Sequence, residues 1–184
     1  GGRDTDEHIR AAHRTVELYR KSYGVHACAG ILHNHESPIR PSSFVTRKIS
    51  LAVARIKHGL ASTIELGNVR AVRDWGFAGD YVEAMWLMLQ REYPRDFVIA
   101  TGFSHSVLEF LERALEVAEL PGGAEKYLST SMSNMRPAEV HSLRGDAYLA
   151  AKELGWSPKV DFDQLVRMMV EWDLQEVGKD LGKL

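Results

Sequence analysis

Short apolar runs of strand length alternate with amphipathic segments of helix length, and this alternation restricts the chain to a layered α/β architecture. A helix is predicted from about Asp6 to Tyr23, where Ile9, Ala12, Val16 and Tyr19 form one stripe to be buried. Gly24 stands where helices commonly end. Val25 to Leu32 reads as a buried strand, and Asn34 to Ser43, rich in proline and serine, as a loop. A second helix is predicted from about Phe44 to His58, capped by Ser43 or Ser42 and closed by Gly59. Thr63 to Leu66 and Phe97 to Thr101 are further strand candidates. The segment Gly79 to Glu92 reads as a helix with Tyr81, Ala84, Met85, Met88 and Leu89 on its inner side. Ser104 or Ser106 caps another, reaching about Leu120. Pro121 to Met135 reads as a loop, and a short helix from about Asp146 ends at Gly155. The last helix is expected from about Phe162 to Val177, with Leu165, Met168, Met169 and Trp172 facing inward. Three strands make a thin sheet, so the chain reads as a piece of a larger α/β fold or one completed by a partner.

Length and charge narrow the function. At 184 residues there is room for one compact unit. A net charge of -2 argues against broad attraction to nucleic acid or an anionic membrane, so any nucleotide must be held in a local pocket. The longest apolar stretch, Val82 to Leu89, is interrupted by Glu83 and is far short of the roughly 20 residues of a membrane span. One cysteine, Cys28, cannot form an internal disulfide, and the polar N-terminus is unlike a secretory signal. The expectation is a reduced, cytoplasmic protein.

Several common chemistries lack their residues. None of the 15 glycines falls into a G-x-G-x-x-G turn, and neither a phosphate loop nor a nucleophile elbow occurs. His8 and His13 have no second ligand pair, so no metal is expected. Tyr148 and Lys152 have the Y-x-x-x-K spacing of short-chain dehydrogenases, but far past any cofactor loop; Tyr148 is read as packing and Lys152 as solvated. More telling is Asn34-His35-Glu36-Ser37-Pro38-Ile39-Arg40, a dense set of hydrogen-bonding groups after a strand, where α/β folds place ligands. Arg47 and Lys48 sit early in the next helix, against the dipole preference, which points to an anionic ligand or a solvated face. Arg73 can reach phosphate, while Asp74 is read as a cap and Trp75 as packing. Arg136 and Glu139 pair a guanidinium fork with a carboxylate able to accept from two sugar hydroxyls.

Taken together these stretches resemble the GDP-mannose 4,6-dehydratases. The resemblance is carried by Gly30-Ile31-Leu32-His33-Asn34-His35-Glu36-Ser37-Pro38, Phe44-Val45-Thr46-Arg47-Lys48-Ile49, Arg73-Asp74-Trp75-Gly76 and Asp80-Tyr81-Val82-Glu83-Ala84-Met85-Trp86. Asp96 to Gly102, Arg136-Pro137-Ala138-Glu139-Val140 and Leu154-Gly155-Trp156 extend it. It implies a partial Rossmann-type parallel sheet plus a small α/β substrate-binding region. Within a single compact unit of residues 1–184, about 1–36 and 78–102 would be the remnant of the dinucleotide-binding sheet, and about 40–77 and 103–184 the GDP-sugar-binding region. In that family NADP is first oxidant and then reductant: hydride leaves the sugar C4, water is lost across C5 and C6, and hydride returns at C6. By motif match His35 and Arg40 would contact NADP, and Asn34, Val45, Lys48, Arg73, Arg136 and Glu139 would surround GDP-mannose.

The departures from the family pattern are as informative. Its glycine-rich loop and its catalytic threonine and glutamate have no counterpart here, and its catalytic tyrosine and lysine fall at Thr5 and Ile9. Neither residue can act as a phenolate base or tune one. His33 stands where an aromatic is common and Ile39 where a second arginine is common. No catalytic residue is therefore assigned. The sequence reads as the C-terminal, GDP-mannose-binding portion of such an enzyme, incomplete on its own, with NADP binding by this chain alone unsupported. Its expected partners are GDP-mannose or GDP and either further copies of itself or a complementing N-terminal half, and neither nucleic acid nor membrane. The alternative reading is a non-catalytic nucleotide-sugar-binding or protein-interaction module.

Overall fold

The fold comes from a computed structural model of the chain, which describes residues 2–130 and 144–182. In chain order the elements are α1 (Gly2–Tyr23), β1 (Gly30–Leu32), β2 (Asn34–Glu36), α2 (Val45–Lys57), β3 (Ile64–Leu66), β4 (Val72–Arg73), β5 (Trp75–Phe77) and α3 (Ala78–Leu89). There follow β6 (Phe97–Ile99), β7 (His105–Ser106), α4 (Val107–Val117), α5 (Gly123–Tyr127), β8 (Leu128–Thr130), α6 (Tyr148–Leu154) and α7 (Phe162–Leu181). The α/β class holds, but the strands are more numerous and shorter than the apolar runs suggest. The expected loop after β1 contains β2, and the expected loop from Pro121 contains α5 and β8.

The strands associate as pairs. β1 lies parallel to β6, β2 to β5 and β3 to β8, while β4 and β7 are antiparallel. Parallel pairing requires long connections, and α2 and α3 lie in those connections. The run from Ala29 to Glu36 changes partner midway: Phe97 N donates to Ala29 O at 3.1 Å and His33 N to Ile99 O at 2.9 Å, after which Asn34 pairs with Trp75. That change of partner carries Asn34, His35 and Glu36 beyond the ends of β1 and β6.

Two apolar clusters divide the interior. One joins α2, α4 and α7 to β3 and to Trp75, through Ile49, Val53, Phe110, Leu111, Leu115, Leu165, Met169 and Val170. The other joins α3, β6 and α6 through Tyr81, Ala84, Met88, Phe97, Ile99, Ala150 and Trp156. The inward faces differ from the periodicity in detail. On α7, Val166, Val170 and Asp173 are buried beside Leu165 and Met169, Met168 is half-buried, and Trp172 is exposed. On α3, Met85 and Leu89 point outward, because the buried stripe is Asp80, Tyr81, Ala84 and Met88. The stripe expected to be buried on α1 is not: Ile9 and Tyr19 are exposed, Ala12 is exposed and Val16 half-buried.

End signals were only partly legible. Ser106 caps α4 with a reciprocal Glu109 contact, and Gly155 ends α6 in the left-handed region at φ 64°. Neither Ser42 nor Ser43 caps α2; its N-cap is Phe44, which has no side-chain acceptor for the first turn. No helix among the described residues is long and apolar enough to cross a membrane.

Candidate functional site

The candidate site grows from β2, the following turn and the first turn of α2. Glu36, almost fully buried at the end of β2, accepts the Thr46 hydroxyl at 2.6 Å and lies 3.3 Å from Arg40 Nε. One carboxylate thereby ties the strand, the loop and the helix. Burial pushes the Glu36 carboxyl above its ordinary value, against the opposing effect of Thr46 and Arg40. The loop is braced locally: Arg40 N donates to Ser37 O at 3.0 Å, Phe44 N to Pro41 O at 3.1 Å, and the Arg40 guanidinium lies 3.6 Å from the centre of the Phe44 ring.

This unit holds Asn34 and His35 on β2, Arg40 in the following turn, and Val45 and Lys48 in the first turn of α2. Register adds Arg73, because Asn34 pairs with Trp75 and so stands opposite the residue two beyond Arg73. Arg73 is half-buried and donates to Val72 O at 2.8 Å. Arg136 and Glu139 lie outside the described residues, so five of the eight assigned positions share one unit and Arg73 neighbours it.

His35 is held by its own backbone and by an aromatic ring. Its Nδ1 donates to the His33 carbonyl at 3.0 Å, and its ring lies 5.5 Å from that of Tyr81. Burial, then the nearby carboxylates of Asp74, Asp80 and Glu36, keep the Tyr81 phenol neutral far beyond its ordinary range. Tyr81 is a fully buried packing residue beside His35.

The two first-turn cations of α2 differ. Arg47 is committed inward: Nη2 lies 2.9 Å from Asp173 of α7, and Nη1 donates to the Pro38 carbonyl. It is neither solvated nor a ligand for an anion. Lys48, the other first-turn cation, is half-buried. With Phe44 as N-cap and no acidic side chain in the first turn, the amides of Val45, Thr46 and Arg47 have no partner within the helix. A phosphate suits such an end.

Sequence reasoning missed Asp74. It caps no helix; it is 1% exposed and accepts Thr101 N at 2.9 Å, Thr101 Oγ1 at 2.6 Å, Gly102 N at 2.9 Å and Gly145 N at 3.2 Å. No local signal distinguishes it, since its donors lie on remote loops. Trp75 does pack, nearly fully buried against Phe110 and Phe162. Tyr148 does not: it is 67% exposed, with the Lys152 ammonium 5.9 Å from its ring centre. His13 bonds Asp96 at 3.0 Å, and among the described residues no three His, Cys, Asp or Glu side chains are grouped to hold a metal.

A dinucleotide needs a phosphate cradle as well as edge contacts. His35 and Arg40 lie on β2 and the turn after it, but the sequence contains no glycine-rich strand-to-helix turn. These residues therefore fit part of such a cofactor and not the whole.

Comparison with known proteins places this arrangement in context. RMD from Pseudomonas aeruginosa complexed with NADPH superposes with a TM-score of 0.81 at 22% identity, over 90% of this chain and 54% of that one. A dTDP-glucose 4,6-dehydratase from Bacillus anthracis in complex with NAD gives 0.74 at 18% identity, over 92% and 50%. These likenesses show the fold: a Rossmann-type sheet shared with nucleotide-sugar dehydratases and epimerases. GDP-mannose 4,6 dehydratase 1 of Arabidopsis thaliana is 53% identical over 90% of this chain and 45% of its own length, and the human GDP-mannose 4,6 dehydratase is 45% identical over 89% and 48%. The chain thus spans about half the length of the curated relatives it matches. The profile of the GDP-mannose 4,6 dehydratase family matches residues 10–169, and with these identities the chain belongs to that family.

Proposed function

We propose that this chain is the C-terminal, GDP-mannose-binding portion of a GDP-mannose 4,6-dehydratase. The observation that carries the reading is the Glu36–Thr46 bond, which ties β2, bearing Asn34 and His35, to the first turn of α2, bearing Val45 and Lys48, in a member of that family. The diphosphate is assigned to the first turn of α2, with Lys48 and the Arg73 guanidinium supplying charge. Asn34 and Val45 border the nucleotide, Arg136 adds a second fork, and Glu139 accepts from sugar hydroxyls. His35 and Arg40 form the edge against NADP.

In the complete enzyme NADP supplies hydride acceptor and donor chemistry, converting GDP-mannose to the 4-keto-6-deoxy sugar. This chain's residues bind and orient; the cofactor cradle and the proton-transfer groups come from a complementing N-terminal half. Residues 1–36 and 78–102 belong with the dinucleotide-binding sheet in this reading, and 40–77 and 103–184 with the sugar nucleotide. A cytoplasmic location belongs to the same proposal. So does association with that half or with further copies, which the outward stripe Val82, Met85, Trp86 and Leu89 on α3 supports, being apolar opposite an already buried face.

Calorimetry with GDP, GDP-mannose and ADP tests the binding assignment. Preference for the guanosine ligands is expected; no heat with any of them overturns it and leaves an interaction module. The isolated chain is expected to yield no 4-keto product from GDP-mannose and NADP, and its appearance would refute the catalytic half of the proposal.

A further inference from the structure

We propose that Asp173, on the C-terminal helix α7, is a positioning residue for the nucleotide-sugar site, acting through Arg47; this rests on the function proposed above. Asp173 is fully buried and holds α2 at two points. Its Oδ2 accepts the Ser50 hydroxyl at 2.6 Å, and its Oδ1 lies 2.9 Å from Arg47 Nη2. Arg47 and Ser50 are three residues apart, so they lie on one face of the helix. Two grips on one face fix the rotation of α2 about its axis. That rotation decides the direction in which Lys48, the next residue, leaves the helix.

The other arm of the same guanidinium reaches the cofactor side. Arg47 Nη1 donates to the Pro38 carbonyl, two residues before Arg40. A guanidinium is a rigid planar fork, so orienting one nitrogen on Asp173 orients the other on Pro38. The path runs from α7 through Arg47 to the loop that presents Arg40, and through Ser50 and Arg47 to the turn that presents Lys48. Glu36 closes it, bonding Thr46 of that turn and pairing with Arg40.

Attachment of α2 does not require this pair. Ile49, Val53 and Ile56 already bury the helix against α4 and α7. A buried ion pair is also weak evidence for stability, since apolar replacements are often at least as stable. What the pair adds is orientation: it places the two sides of the site relative to one another, from a residue that touches neither ligand.

The test separates orientation from folding. Arg47→Lys retains a cation for Asp173, but one ammonium on a single stem cannot hold both Asp173 and Pro38 in the fork geometry. The paired variant Arg47→Met with Asp173→Leu removes both charges and leaves neither unpaired. In each, amide hydrogen exchange at Arg40, Phe44 and Lys48 is expected to rise at least tenfold, while exchange within α4 stays within about twofold. GDP affinity, by calorimetry, is expected to fall at least tenfold. A cycle with Lys48→Ala should be non-additive, because the paired variant and Lys48→Ala would disable the same contact. Unchanged loop exchange in Arg47→Lys overturns the proposal, as does uniform loosening of loop and α4 alike. If the wild-type chain binds no GDP, the functional reading fails, while the exchange measurement still decides whether Asp173 positions this loop.

Discussion

The buried carboxylate of Asp74 accepts the backbone amide of Gly145 at 3.2 Å across 71 residues of sequence, while also accepting the amides of Thr101 and Gly102. It pins the end of β6, the approach to β5 and the segment entering α6 to one point. Asp74→Ala would leave the buried Gly145 amide and the half-buried Thr101 and Gly102 amides without this acceptor. A loss of about 3 kcal/mol is expected, or roughly 6–12 °C in Tm for a chain this size. Asp74→Asn, which keeps one acceptor oxygen, should lose less. Equal thermal midpoints for wild type and Asp74→Ala would disprove the clamp.

Gly76 is required for space, not for backbone freedom. A Cβ there would lie 2.5 Å from Tyr81 Cε2 and 2.9 Å from Thr101 Cγ2. Gly76 also pairs with His35, whose ring lies 5.5 Å from that of Tyr81, so the intrusion would reach His35. Gly76→Ala is expected to cost about 1–3 kcal/mol by overpacking. Urea unfolding checks this, and a variant as stable as wild type would show that Tyr81 yields freely.

The contrast between Gly76 and Glu36 shows how much the sequence disclosed. The longer helices and the loop rich in hydrogen-bonding groups were legible because periodicity and turn composition are local, whereas the five-residue α5 was not. The short strands were not, since a three-residue strand such as β2 has no period of its own and exists only through register with β5. The outward stripe of α3 was misassigned in part because that helix is apolar on both faces, and period alone cannot rank two apolar faces. Lys48 and Arg73 are nominated by charge and position alone. Asp173 could not be, because its partners Arg47 and Ser50 lie more than 120 residues away.

Acid stability should depend on Asp96, the anchor of α1. Burial alone would raise its carboxyl, but the Ala29 amide at 2.8 Å, Arg20 and His13 together hold it below the ordinary range. Its contribution is present above the unfolded-state value, near pH 4, and is lost as pH falls through the lower folded-state value. Glu36 and Asp173 act with the opposite sign: their carboxyls are raised, so their titration weakens the fold as pH rises from about 4. Asp96→Asn should flatten the acid limb of the stability profile measured by urea unfolding between about pH 3 and 6. Parallel acid limbs in the two proteins would count against it.

Lys48 and Arg55 share α2 but should differ in their effect on nucleotide binding. Lys48 sits in the first turn, where amides without a partner in the helix and the positive end of the helix dipole favour a phosphate; Arg55 lies exposed in the last turn, about 10 Å further along the axis at 1.5 Å per residue. Removing a charged hydrogen bond costs about 1.5–3 kcal/mol, or roughly ten- to a hundredfold in affinity. Lys48→Ala and Arg73→Ala are each expected to weaken GDP binding by that factor and to flatten its salt dependence, with Tm nearly unchanged. Arg55→Ala should bind GDP as wild type does. Calorimetry at two salt concentrations distinguishes the cases: if all three variants weaken alike, the attraction is a diffuse property of net charge, and no diphosphate site exists at the start of α2.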